Sequence, residues 1–168
     1  MEKDEGEKLI FITLGSQKFQ FNRLLIEIDK LIENGIIKDS VFAQVGYSEY
    51  HPKNYDFKAF LDRDEFIKKI NAADIVITHG GTGAIVGALK KGKKVIAVPR
   101  LSKYEEHVDN HQIQIINQFS ELNLICGLAD CTELGAEISK IYNTSYSKYL
   151  SNTENIIQDI TRFIEGKI

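Results

Sequence analysis

Residues 75–91 read IVITHGGTGAIVGALKK, and this stretch decides the fold. Ile75-Val76-Ile77-Thr78 is a short apolar, β-branched run, the pattern of a strand buried on both faces. His79-Gly80-Gly81-Thr82-Gly83 follows, then a helical pattern from Ala84 to Lys91, stopped by Gly92. Val95-Ile96-Ala97-Val98 is the next strand, ended by Pro99. Strand, glycine turn, helix and strand make a βαβ unit, which implies a parallel sheet.

The alternation continues outward in both directions. Leu9 to Leu14 is β-prone and stops at Gly15. Phe21, Leu24, Leu25, Ile28, Leu31 and Ile32 recur at helical spacing, with Asn22 as the expected N-cap and Gly35 as the stop. Val41 to Val45 reads as a second strand and Phe57 to Leu61 as a short third. Asp62 with Glu65 reads as a capping pair for a helix through Ala73. Beyond Pro99, residues 100–109 are polar and read as a loop, then come a helix from Asn110 to Leu122 and a strand from Leu124 to Leu128. Asp130 can cap a helix bearing Leu134, Ile138 and Ile141. Ser151 and Glu154 read as a capping box for a tail helix over residues 151–168, whose apolar face is Ile156, Ile157, Ile160, Phe163 and Ile164. The expectation is one α/β domain over residues 1–168, Rossmann-like, with a mainly parallel sheet of about six strands and helices on both faces. The tail helix is expected to pack on its own sheet, with docking of a partner as the rival use.

Composition narrows the function classes. The chain has 168 residues, 43% hydrophobic and 27% charged, ordinary for a globular domain that buries its own core. Lys plus Arg is 21 and Asp plus Glu is 24, a net charge of -3, so binding to nucleic acid through phosphates is not expected. The longest stretch without charge, Ile75 to Leu89, falls short of the roughly 20 residues of a spanning helix. The charged start, MEKDEGEKLIF, has no long apolar core of an export signal. Cys126 and Cys131 form no disulfide framework or zinc pattern and read as reduced thiols of a cytoplasmic protein.

In a sheet of this kind ligands bind beyond the carboxyl ends of the strands. That places Gly15-Ser16-Gln17-Lys18 and His79 to Gly83 at one site, with the loop from Arg100 joining them. Glycines let backbone approach a ligand, and a helix start supplies unpaired N–H groups and a positive dipole end, which suits phosphate. Thr82 can add a hydroxyl and His79 a donor. No Walker A loop is present. Gly81-x-Gly83 is half a dinucleotide fingerprint, but Val86 stands where its third glycine belongs. Arg100 after the next strand would fit NADP better than NAD, which keeps an oxidoreductase domain as an alternative.

The run THGGTGAIVGALKKGKKVIAVPR over residues 78–100, followed by EHVDNHQ over 106–112, resembles the donor-binding half of UDP-sugar glycosyltransferases of the GT-B fold. It is similar above all to the short soluble subunits of two-component bacterial polysaccharide glycosyltransferases, with a glycosyltransferase family 28 C-terminal-like domain. These are related to the soluble subunit of the dolichol-linked GlcNAc transferase. The opening TLGSQKFQFNRLL of residues 13–25 is similar to that family's first strand and loop.

The resemblance implies half of a GT-B fold. It implies UDP diphosphate held by Gly15, Ser16, His79, Gly80, Gly81, Thr82 and Gly83, uracil read at Leu61, and sugar contacts from Arg100, Asn110 and Gln112. It further implies inverting transfer of a hexose from the UDP-sugar to a lipid-linked acceptor, in exopolysaccharide or capsule synthesis. The acceptor would be brought by a membrane-anchored partner that recruits this chain to the inner face of the cell membrane. Glu106, His107, Asp109 and His111 are the candidate bases. Gly87 stands where relatives place a ribose-binding glutamate, and on that account a non-catalytic stabilising partner is the other alternative.

No cofactor or metal is expected. Asp62-Arg63-Asp64 spells D-x-D but opens a helix, where capping is the expected use. His107-x-x-x-His111 has a spacing that could hold zinc on a helix, but lacks the glutamate of H-E-x-x-H. The run Lys90, Lys91, Lys93, Lys94 is expected to be a solvated helix end, with anionic lipid as the rival surface.

Overall fold

The structure, a computed structural model, describes residues 6–164 and 166. Residues 1–5 of the charged start, and the side chains of Ile156 and Phe163 in the tail helix, lie outside the described residues.

Six strands form one parallel sheet: β1 (Leu9–Thr13), β2 (Ser40–Gln44), β3 (Asp56–Lys58), β4 (Ile75–His79), β5 (Lys94–Val98) and β6 (Cys126–Gly127). Their order is β3-β2-β1-β4-β5-β6. The order reverses between β1 and β4, so a crevice opens beyond their carboxyl ends. The helices are α1 (Asn22–Glu33), α2 (Arg63–Ala72), α3 (Thr82–Lys90), α4 (His111–Glu121), α5 (Leu134–Ile141) and α6 (Thr153–Ile164).

The period-2 alternation of β1 divides the core. Ile10 and Ile12 face Leu24, Leu25 and Ile28 of α1 and Leu134 and Ile138 of α5. Phe11 faces the other way, with Ile70 of α2, Ile85 and Ala88 of α3 and Ile116 of α4. Helices thus cover both faces, as the alternation implied.

The edges depart from the expectation. β3 is three residues long and β6 two, shorter than the apolar runs that announced them. An edge strand has one neighbour, so side chains beyond the paired stretch, such as Leu61 and Leu124, pack on the core without ladder bonds. Asn22 does not cap α1: its Oδ1 accepts the N–H groups of Glu49 and Tyr50, and Phe21 takes the cap position. The Asp62–Glu65 capping box forms, which accounts for the D-x-D triplet. Asp130 caps a short 3-10 turn, Cys131–Glu133, that leads into α5. Lys94 Nζ donates to the carbonyls of Ile141, Tyr142 and Thr144 at the end of α5, so this member of the lysine run is a helix cap.

The tail helix begins at Thr153. Ile157, Ile160 and Ile164 are each more than half exposed, so these three do not pack on the sheet as expected. Among the described residues no helix is long and apolar enough to cross a membrane.

Candidate functional site

The site starts from the end of β4. Thr78 and His79 are buried, and the chain then turns through Gly80 and Gly81 into α3. Gly81 is the N-cap and supplies no side-chain hydrogen bond, and the first turn of α3 carries no acid. The helix start therefore keeps its positive end bare toward the crevice. Across from it, Gly15 has φ +73, a conformation open to glycine and strained for other residues. The His79 ring fills the gap between the two turns: a Cβ on Gly15 would stand 2.8 Å from its Cε1, and one on Gly81 would stand 2.3 Å from its Nε2.

His79 is neutral. Burial, with the positive charge of Arg100 nearby, pushes its pKa down to about 4. Thr78 Oγ1 donates to Thr13 O (2.8 Å) and lies 3.3 Å from His79 Nδ1. With its own proton committed to Thr13, the hydroxyl can only accept from the ring, which assigns the proton to Nδ1 and leaves Nε2 with a lone pair. His79 is therefore not the donor that the sequence suggested.

A cleft of about 350 Å³ lies between the turns. Gly15, Ser16, His79, Gly81, Thr82 and Gly83 line it, joined by His107, His111 and Gln112. A larger hollow, about 1010 Å³, lies elsewhere, along the starts of β2 and β3 with Tyr55, Lys58 and Lys69. It is wide and away from the switch point, and the smaller cleft is the one on which chemistry-bearing groups converge.

Several expected site residues serve the scaffold instead. Gln112 is buried, and its Oε1 accepts the N–H groups of Gly80 and Arg100, both at 3.0 Å. Only its amide nitrogen remains for a sugar. Arg100 is buried beneath the cleft, where Nη2 donates to Leu14 O (2.9 Å) and Phe19 O (3.1 Å), the two ends of the Gly15 loop. Burial lowers its pKa to about 10, with Glu106 opposing. Arg100 thus contacts no sugar and offers nothing to a 2′-phosphate, which removes the support for NADP. Its Nε and Nη1 have no partner among the described residues. Asn110 Oδ1 accepts from Ser102 N and Oγ and ties the loop, away from the cleft lining. Leu61 lies outside the cleft on the β2–β3 side, and its N–H is taken by Gln44 Oε1 (3.0 Å).

Glu106 is withdrawn as a base. It is fully buried, with both carboxylate oxygens held by Arg23 (3.0 and 2.9 Å) and one also by Leu101 N. Arg23 went unread in the sequence. It also donates to Pro99 O and Cys131 Sγ and lies over Tyr104, yet nothing local marks it, because its hydrogen-bond partners are remote in sequence. Cys131 and Cys126 are free thiols, and burial pushes the former up to about 12 and the latter to about 11. His107 and His111 remain on the cleft, with Asp109 hydrogen-bonded to the His111 ring and backbone.

The sheet order and the crevice at its switch point make the fold Rossmann-like, and the solved structures on which it superposes make it half of a GT-B fold. The glycosyltransferase of kitacinnamycin superposes with TM-score 0.60 at 17% identity, covering 84% of this chain and 36% of that one. An NMR structure of ALG13 gives 0.57 at 20% identity, covering 86% and 90%. Within that fold the chain belongs to the glycosyltransferase family 28 C-terminal domain family, matched over residues 9–165. It is 30% identical over 107 residues to the UDP-N-acetylglucosamine transferase subunit ALG13 of Candida albicans, covering 62% of this chain and 35% of that protein. The human protein of the same name is 25% identical over 118 residues, covering 66% and 10%. The match therefore spans about a third of the length of the first relative and a tenth of the second.

Proposed function

We propose that this chain is the UDP-sugar-binding, catalytic subunit of a two-component inverting glycosyltransferase that transfers a hexose to a lipid-linked acceptor. The observation that carries the reading is the bare start of α3 facing the Gly15 turn across the cleft, in a member of this glycosyltransferase family. Backbone N–H groups there would hold the diphosphate and stabilise the charge that grows on it as the sugar leaves. Neutral His79 would shape the turns without supplying charge.

A GT-B enzyme needs two such halves, and this sheet is one. The second half would come from a membrane-anchored partner carrying the acceptor. The exposed face of α6, with Ile157, Ile160 and Ile164, is the proposed docking segment. The proton of the attacking hydroxyl would pass to a base on the rim, among His107, Asp109 and His111, or on the partner. A surface-polysaccharide role rests on the resemblance of residues 78–112 to the short subunits of bacterial polysaccharide transferases, whereas the relatives' name makes UDP-GlcNAc the first donor to try. Gly87 has no side chain to offer where relatives place a glutamate, so ribose contacts would come from elsewhere or be weaker.

Calorimetric titration of the chain with UDP, UDP-sugars and NADPH tests the reading. Uridine nucleotides alone should bind. Binding of none would favour a non-catalytic, stabilising partner of a separate transferase, and binding of NADPH alone would overturn both.

A further inference from the structure

His107, Asp109 and His111 bring two imidazoles and one carboxylate together on the cleft rim, with one ligand atom of each within 4.8 Å of the others. The helical spacing read from the sequence is not what joins them. α4 begins only at His111, and the loop before it curls so that Asp109 stands between the rings.

The loop is pinned on both sides. Glu106 is locked in its buried pair with Arg23, and Asn110 is bonded to Ser102. The His107 side chain is 7% exposed, its ring 4.8 Å from that of Phe19 and 4.9 Å from that of His111. His107 therefore needs little ordering on binding, and the more exposed Asp109 and His111 can turn to close the set.

The lone pairs also converge. The Asp109 N–H donates to His107 Nδ1 (3.4 Å), which makes that nitrogen a lone-pair bearer. The same nitrogen lies 3.3 Å from Asp109 Oδ1, also a lone-pair bearer. A proton or a metal cation must lie between two such atoms facing one another. Their separation matches ligands about 2.0–2.2 Å from a shared tetrahedral ion.

We infer that His107, Asp109 and His111 form a binding site for one divalent transition-metal ion of the zinc class. Two nitrogens and one oxygen suit zinc rather than magnesium or calcium, which take oxygen ligands. Three protein ligands leave a fourth position open to water or another oxygen ligand, and His107 and His111 share their cleft with Ser16 and Thr82. The site does not depend on the donor reading.

The test uses the untagged full chain, with zinc alone and no nucleotide. Zinc titrated by calorimetry should bind one equivalent and persist in excess magnesium. His111→Ala and Asp109→Asn should each weaken it more than about tenfold, while melting without zinc stays unchanged. Absence of saturable binding, or binding unaltered in both variants because the ion sits on Cys126 or Cys131, overturns the site. So does a His111 ring resonance that responds to Asp109→Asn but not to zinc, which would leave only a hydrogen-bonded pair.

Discussion

Gln112 packs against Gly80 so closely that Gly80 has no room for a side chain. The Gln112 side-chain oxygen accepts the Gly80 N–H at 3.0 Å, and a Cβ on Gly80 would stand 2.6 Å from that of Gln112. The same oxygen accepts the Arg100 N–H, and Arg100 in turn grips Leu14 and Phe19. One chain of contacts thus sets α4, the turn after β4 and the turn after β1.

Gln112→Leu should cost roughly 2–4 kcal/mol, because two buried backbone donors lose their acceptor. Gln112→Glu keeps the oxygen and should cost less. Urea midpoints of the two variants measure this, and equal midpoints would mean that the contact positions nothing.

Glu106→Ala should lose roughly 2–4 kcal/mol, since Arg23 is left charged and four-fifths buried. Arg23→Met combined with Glu106→Leu should recover most of it. A catalytic Glu106 would instead lose turnover at unchanged stability, so denaturation of the single and double variants separates the two roles.

The buried neutral ring of His79 makes stability pH-dependent. Its folded pKa of about 4 lies below the ordinary 6.5. Above pH 6.5 both states are neutral and the stability is complete. As pH falls from about 6.5 toward 4 the unfolded state takes up a proton that the folded state refuses, and up to about 3 kcal/mol is lost. Urea midpoints at pH 5 and 7 should differ in the native chain, and differ less in His79→Asn.

Gly83→Asp puts a carboxylate in the first turn of α3, where a Cβ meets nothing within 4 Å. The helix should gain about 0.3–1 kcal/mol from its dipole. Binding of UDP should weaken more than about tenfold from charge repulsion. Opposite signs in melting temperature and affinity are the signature of an anion site at this helix start.

The central strands could be read from the sequence because they are buried on both faces: β1 and β4 open on the apolar runs Leu9–Ile12 and Ile75–Ile77. The glycine turn was legible because it stands between such a strand and a helix. Its detail was not. Arg100 and Glu106 read as members of a polar solvent loop, since their burial depends on Leu14, Phe19 and Arg23, more than 75 residues away. Asn22 looked like a cap because the N–H donors that its Oδ1 accepts instead, those of 49 and 50, come from a different loop. His107 and His111 were noticed as a pair, whereas Asp109 joins them only through a loop curvature that no periodicity encodes.

Backbone amide NMR of the isolated chain titrated with UDP tests the central claim most directly. The signals of Gly15, Ser16, Gly81, Thr82 and Gly83 should shift together and saturate. Shifts confined to the hollow along β2 and β3, or none in these two turns, would contradict it.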